Sequence, residues 1–403
     1  MDGAATGSSN KVSSQAGASA HRVPDDNIIE ILLRLPAKSV IRFRAVCTAW
    51  RRLLSDPDFL AAHSRLQPLD SILYDRLVGS GSGIINIALD TVHISSITSG
   101  DGTDRRQRLI SVANSKRRPC ILLSSCNGVF LFRRSEGCYL LCNPATRQWA
   151  DLPSLVPSSL VREYAFYFHE PSGEYRLWCH RNPLDTRYGT WHVLSTDAAE
   201  PRDVQVHAEA AKRMTELLVG SLPVLLHGSM HWPPPHRRKW LEEEITTEIV
   251  VLDTLSETFQ IMAGPPVTTV MEVAVKLFIS MEGLLAAADL GDMWHINFWF
   301  LEDYDAWRWE CRHKIDITWY NRRSEFLSGV MMGDDEGNII VGRGSCFYVC
   351  NVRTKTLSMA YSVDSLPDNV IVSRHVYRQS LVQQPYFRAQ SSHDLQLMHI
   401  WCK

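Results

Sequence analysis

A chain of 403 residues, 45% apolar and 21% charged, has a globular composition and room for more than one domain. Lys plus Arg at 42 nearly balances Asp plus Glu at 44, which excludes a global field that would draw the chain onto nucleic acid or an acidic membrane. The ten cysteines form no C-x-x-C pair and no Asn-x-Ser/Thr site occurs, against a secreted disulfide framework and for reduced thiols in cytoplasm or nucleus.

Residues 1–22 are rich in Gly, Ala and Ser without an apolar run, and predict a disordered tail rather than a signal peptide. No later segment reaches the roughly 18 uninterrupted apolar residues of a bilayer span, so a soluble protein is expected.

From Val23 to Leu54 the sequence predicts two apolar helices. Pro24 suits a helix start, Asp25 and Asp26 complement the dipole, and Pro36 ends the first helix by Leu35. Ile28, Ile29, Ile31, Leu32, Leu33 and Leu35 spread over about 200° of that helix, at ~100° per residue, whereas one packing face needs about half. Ser39 is the expected N-cap of a second helix carrying Val40, Phe43, Val46, Cys47, Trp50 and Leu54. A segment of ~40 residues cannot bury that surface alone. Either the downstream domain or a foreign subunit must cover the remainder, and periodicity does not choose between them.

The Val-Pro start, the E-I-L-x-R-L-P run from Glu30 to Pro36, the K-S-V-I-R-F-R-x-V-C-x-x-W run from Lys38 to Trp50 and S-D-P-x-F from Ser55 to Phe59 together closely resemble an F-box. Thr48 departs from the family's usual basic or polar residue, a mild change at an exposed position. The resemblance implies that residues 23–66 bind a Skp-type adaptor, and through it a cullin and a RING subunit. It implies Pro24, Ile28, Ile31, Leu32, Leu35, Pro36 and Val40 as adaptor-binding residues, with Phe43, Val46 and Trp50 holding the helices together.

After Leu66 the texture becomes short apolar alternations separated by Gly, Asn, Asp and Pro, which predicts strands and turns. Asn143, Ser195, Asp253, Asp303 and Asn351 mark a repeated strand–turn–strand at intervals of 52, 58, 50 and 48 residues. Gly128, Gly173, Gly228, Gly283 and Gly337 form a second register at 45, 55, 55 and 54. Such spacing is that of propeller blades, none of which buries its own faces. The expected fold is therefore an α+β multidomain chain: a small all-α N-terminal domain, then an all-β, irregular β-propeller-like domain of five or six blades over residues 70–403. Trp149, Trp232, Trp299, Trp307 and Trp309 are expected in blade cores.

The motifs S-C-N-G (Ser125–Gly128), C-N-P-A-T-R-Q-W-x-D-L-P (Cys142–Pro153), P-S-G-E-Y-R (Pro171–Arg176), L-L-H-G-S-M-H-W (Leu225–Trp232), D-T-L-S-E-T-F (Asp253–Phe259) and Y-R-Q-S-L-V (Tyr377–Val382) resemble the plant F-box-associated domain. Departures are Phe168-His169-Glu170 before P-S-G and the PPPHRR run at 233–238. That resemblance implies the substrate-recognition half of an SCF ubiquitin ligase: a non-catalytic receptor presenting an unknown protein target. Two alternatives stand beside it, a partner-sequestering F-box protein without ubiquitin transfer and a glycan-binding or hydrolytic propeller.

No nucleophile elbow, P-loop or dinucleotide fingerprint occurs, so no catalytic residue and no cofactor is expected. His227, His231 and His236 lack the fixed spacing of a structural zinc site and are read as turn residues, with no metal expected. Cys138 with Cys142 and Cys346 with Cys350 are read as packing thiols. The basic run from Arg105 to Arg118 lacks interleaved aromatics and is read as a solvated loop or acidic-partner contact, not a nucleic-acid site.

Overall fold

The computed structural model describes residues 25–389, apart from the connecting segments 79–83, 99–106, 116–119, 156–158, 184–188, 218–220, 235–246, 268–274, 290–294, 318–326, 333–336, 344–345 and 363–369. The 1–22 tail, Pro24, the GSGSG turn, His236 and much of the 105–118 and 233–238 runs lie outside the described residues.

The N-terminal head has four helices, α1 (Asp25–Leu33), α2 (Ala37–Phe43), α3 (Thr48–Leu53) and α4 (Pro57–Leu66), where the sequence predicts two. The expected second helix breaks because Cys47 is extended (φ −158°) and its Sγ accepts the Trp50 N–H at 3.4 Å, starting α3 afresh. Its start is Ala37, directly after Pro36, rather than the position following a Ser39 cap. Helix α4 starts on a strong local signal: Asp56 accepts the Asp58 and Phe59 amides at 3.0 and 3.2 Å, and Pro57 occupies the first turn. It supplies what α1 lacks. His63 donates from Nε2 to the Leu35 carbonyl at 2.8 Å and Gln67 donates to the Leu33 carbonyl at 3.2 Å, satisfying carbonyls left orphaned where Pro36 stops the helix.

Six sheets radiate around an axis. Blade 1 holds β1 (Leu69–Val78), β2 (Ile84–His93) and β3 (Gln107–Ser115), followed within the chain by the short helix α5 (Ile94–Thr98) between β2 and β3. Blade 2 is β4 (Ile121–Cys126), β5 (Val129–Ser135), β6 (Cys138–Asn143) and β7 (Gln148–Asp151). Blade 3 is β8 (Ser159–His169), β9 (Glu174–Pro183), β10 (Thr190–Ser195) and β11 (Arg202–Val204), trailed by α6 (Ala208–Glu216). Blade 4 is β12 (Val224–Leu226), β13 (Ser229–Trp232), β14 (Ile249–Asp253) and β15 (Phe259–Met262). Blade 5 is β16 (Val275–Ile279), β17 (Leu285–Asp289), β18 (His295–Asp303) and β19 (Arg308–Asp316). Blade 6 is β20 (Leu327–Met332), β21 (Asn338–Arg343), β22 (Cys346–Asn351) and β23 (Thr356–Ser362). The chain then returns: β24 (Val370–Arg378) pairs with β1, Leu69 opposite Arg378, and becomes the inner strand of blade 1. Finally β25 (Arg388–Ala389) adds a fifth strand beside β7. The ring is closed by its two ends, the C-terminal β24 completing the sheet begun by β1.

Alternation along each strand splits its side chains between two neighbours. In β5, Phe130 and Phe132 pack toward blade 1 while Val129 and Leu131 pack toward blade 3. One apolar cluster fills each of the six blade–blade interfaces. Trp232 and Trp178 are fully buried in this way, and Trp191 is buried beside them at 7% exposure. Trp307 is a correction: it is 40% exposed at φ +51° in a turn, not in a blade core.

The two sequence registers are two kinds of turn at one end of the wheel. Asn143, Asp253, Asp303 and Asn351 each accept, through Oδ1, the amides two and three residues on, at 2.7 to 3.3 Å. Four residues after each, at Arg147, Glu257, Trp307 and Lys355, φ is +51° to +56°. Ser195 makes no such turn; it hydrogen-bonds Glu174 instead. Of the glycine register, Gly128 is the most constrained. At φ +78°, a Cβ there would lie 2.5 Å from Ser380 Cβ and 2.9 Å from the Arg378 carbonyl. Gly128→Ala is expected to destabilise the chain by about 2–4 kcal/mol, above the ~1–2 kcal/mol of a left-handed non-glycine alone, because backbone must also move. Denaturant unfolding of the variant checks this.

Beyond β24 the chain passes between head and wheel. Gln379 Oε1 accepts the Ala37 N–H at 3.2 Å at the start of α2, and Asn143 Nδ2 donates to the Ser380 carbonyl at 3.0 Å. Leu381 enters the head core beside Leu32, Val40 and Leu54, while Tyr386 and Phe387 pack against Tyr175 of blade 3. This strap contains the Y-R-Q-S-L-V motif and fixes the head to the end carrying the tight turns.

Candidate functional site

On the head, Ile31 is 58% exposed, Pro36 is exposed, and Ile28 and Leu35 are half-buried. Ile28, Ile31 and Leu35 sit three and four residues apart, one face of α1 continued through its last turn. Leu32 and Val40 are corrections: at 2% and 0% exposure they belong to the head's own core with Ala37, Leu54, Phe59 and Leu60, sealed by α4 and by Leu381. Pro24 lies outside the described residues.

Val46 is a correction in the other sense. It stands 61% exposed in the break between α2 and α3, while Phe43 and Trp50 do hold the helices together, edge to face at 5.5 Å. Ile41 is 41% exposed and was missed, because a single continuous helix from Ser39 offered no reason to set it apart. Around these residues Lys38, Arg42, Arg51 and Arg52 are exposed, and Glu30 pairs with Arg34 at 2.8 Å. The head thus exposes apolar side chains together with charges of both signs, the acidic Asp26, Glu30, Asp56 and Asp58 among them. Thr48 is exposed at the start of α3.

Under this face His63 is fully buried, and burial pushes its imidazole below the usual range against the opposing pull of the Leu35 carbonyl. Burial does the same to His231 in blade 4, whose ring nitrogens meet the Val224 carbonyl and the Tyr304 hydroxyl at 3.2 and 2.7 Å. Above pH ~6.5 both are neutral in folded and unfolded chains, and their contribution to stability is intact. As pH falls below that value the unfolded chain takes up protons first, so stability is lost toward the lower folded values. The melting temperature is expected to fall between pH 7.5 and 5.5, with a shallower slope in His63→Gln; an unchanged slope would contradict the assignment. The lowered carboxylates Glu174, Glu257 and Asp253 titrate well below this window.

The described residues hold no group of three or more metal-ligating side chains, and His227 occupies a left-handed turn at φ +49°. Cys142 and Cys350 are buried thiols, Cys350 pushed up to about 12 by burial. Arg108 pairs with the buried Asp90, which gives that member of the basic run a structural partner. On the turn end, Arg176 spans Glu174 at 2.6 Å and Glu257 at 2.7 Å, tying blade 3 to a blade 4 turn.

Comparison with known families matches an F-box domain over residues 21–61 and an F-box associated beta propeller domain over residues 88–358. The chain belongs to the plant F-box proteins that carry an F-box-associated β-propeller. The F-box protein At5g49610 of Arabidopsis thaliana is 32% identical over 311 residues, covering 73% of this chain and 79% of its own. The F-box protein CPR1 of the same plant is 23% identical over 319 residues, covering 71% of each. F-box proteins are generally non-catalytic adaptor or receptor subunits, and the F-box as a class binds Skp-type adaptors. No helix of the described residues is long and apolar enough to cross a membrane.

At the end opposite the Asn and Asp turns, the connection from β11 to β12 carries α6 (Ala208–Glu216), while β5 and β6 are joined by a two-residue turn. Loops that vary on a rigid scaffold are where recognition is usually carried.

Proposed function

We propose that this F-box protein is the substrate receptor of an SCF-type ubiquitin ligase, working in cytoplasm or nucleus. Its F-box docks a Skp-type adaptor and thereby a cullin, and the far end of the propeller holds a protein target. The observation that carries this reading is the set of large apolar side chains left open on the F-box, Ile31, Ile41 and Val46, with Ile28 and Leu35 half-buried behind them. Burying each fully is worth about 1.5–3 kcal/mol, enough for several to anchor a stable complex. The exposed Lys38, Arg42, Arg51 and Arg52 favour an adaptor surface that adds acidic groups to an apolar contact.

The receptor itself makes and breaks no bond in this scheme. It raises the local concentration of target lysines near the conjugating enzyme, the benefit of tethering. That benefit depends on a fixed distance between F-box and target, which the strap through Gln379 and Leu381 supports.

The experiment is reconstitution. A tagged full-length chain should retain a Skp-type adaptor and a cullin through gel filtration, with retention weakening as salt rises; a monodisperse, folded chain that retains neither contradicts the proposal.

A further inference from the structure

The inner strands β4 and β8 begin at the end of the wheel opposite the Asn and Asp turns, about 20 Å away along β4 and about 35 Å along β8, at ~3.3 Å per residue. Between their first halves lies a cavity of about 640 Å³, within the range of ligand-binding clefts. Its lip is apolar and open: Leu160 is 64% exposed and Ile121 37%. Deeper, Leu131 and Phe166 form an apolar wall.

The charges in this cavity do not cancel. Glu163 is answered in full, since Arg133 Nη1 lies 3.3 Å from both its oxygens and the Tyr139 hydroxyl donates to it at 2.9 Å. Arg162 donates from Nη1 to the Thr215 carbonyl at 2.8 Å and to the Tyr164 hydroxyl at 3.4 Å, neither of them charged. It has no carboxylate partner among the described residues, yet it is half-buried. His180 lines the same wall and is held below the usual range by burial, with Arg162 and His192 adding to the effect, so it brings no charge at neutral pH. Glu136 is engaged by the Val161 N–H and does not line the cavity. One positive charge is left without a carboxylate among the described residues, and only Nη1 of its planar fork is engaged there.

A single guanidinium fits one carboxylate, charge for charge and two N–H groups for two oxygens. A phosphoryl group carries nearly twice that charge and would call for a second cation. The lip adds a demand for an apolar neighbour.

We propose that this cavity receives an acidic side chain of the protein target, Asp or Glu, against Arg162, with an adjacent apolar side chain seated on Leu160 and Ile121. The proposal rests on the propeller being the target-binding half of the receptor and names the chemistry it selects.

The test selects a phage-displayed random dodecapeptide library on the full-length chain, with and without a Skp-type adaptor. The expected winners carry Leu, Ile or Phe beside Asp or Glu. The best of them should bind Arg162→Gln at least tenfold more weakly, and the library selected on Arg162→Glu should switch to Lys or Arg at the acidic position. Leu160→Asp should remove the apolar preference. Selection that is empty, that favours phosphoserine peptides added as a second arm, or that is unchanged in Arg162→Glu overturns the proposal. Melting temperature and adaptor retention of each variant are read alongside. Failure of adaptor binding with intact peptide selection would count against the ligase reading alone, and intact adaptor binding with no selection would count against this one alone.

Discussion

Leu32→Asp is expected to unfold the F-box, whereas Ile31→Asp, one residue away, leaves it folded and removes adaptor binding. Leu32 is 2% exposed among Val40, Leu54, Phe59 and Leu381, so an aspartate there buries an unpaired carboxylate in an apolar core. The loss of packing alone is worth about 2–5 kcal/mol, and burying the charge adds several more. Ile31 is 58% exposed, and a surface change away from special features usually moves stability by no more than ~0.5 kcal/mol. Its loss should register only when the adaptor is present, through one desolvated anchor and one misplaced negative charge. The helical dichroism of the full chain, most of which comes from the four helices of the F-box, followed by titration with a Skp-type adaptor, separates the two. Equal adaptor affinity for wild type and Ile31→Asp would remove Ile31 from the interface.

Leu381→Ala is expected to loosen the F-box from the propeller without dismantling either. Leu381 is 1% exposed and its partners are F-box residues, although it lies 349 positions after Leu32. Truncating a buried leucine costs about 2–5 kcal/mol, here taken from the joint. Two unfolding transitions should replace one, the first belonging to the F-box. Gln379→Ala should act in the same direction more weakly, about 1 kcal/mol, since it releases only the Ala37 amide at the start of α2. A single transition shifted as a whole would show that the strap does not define a boundary.

What could be read from the sequence was what local stereochemistry dictates. An Asn or Asp that closes its own turn and a glycine at positive φ leave a signature within five residues, so both registers found their turns in four of five cases and in all five glycines. What could not be read depends on distant chain. Blade 1 draws its inner strand from β24, some 300 residues after β1, so counting repeats along the chain undercounts the wheel. The burial of Leu32 and Val40 depends on α4 and the strap, whereas helical periodicity reports only that a residue is apolar, not what covers it. The break at Cys47 exposed Ile41 and Val46, and a cysteine acting as an N-cap through sulfur is a weak sequence signal. The Asp56-Pro57 start of α4 was a strong one, present in the sequence as part of S-D-P-x-F and read there only as a family motif. Arg162 was invisible for another reason: a lone arginine in an alternating strand says nothing until its neighbours show that no carboxylate answers it.

Amide hydrogen exchange of the full chain, alone and saturated with a Skp-type adaptor, tests the docking of the F-box most directly. Slowed exchange confined to residues 28–46, with 120–182 and the strap at 379–389 unchanged, is the expected outcome. Protection spread over the far end of the propeller, or absent from 28–46 while the complex persists, would contradict it.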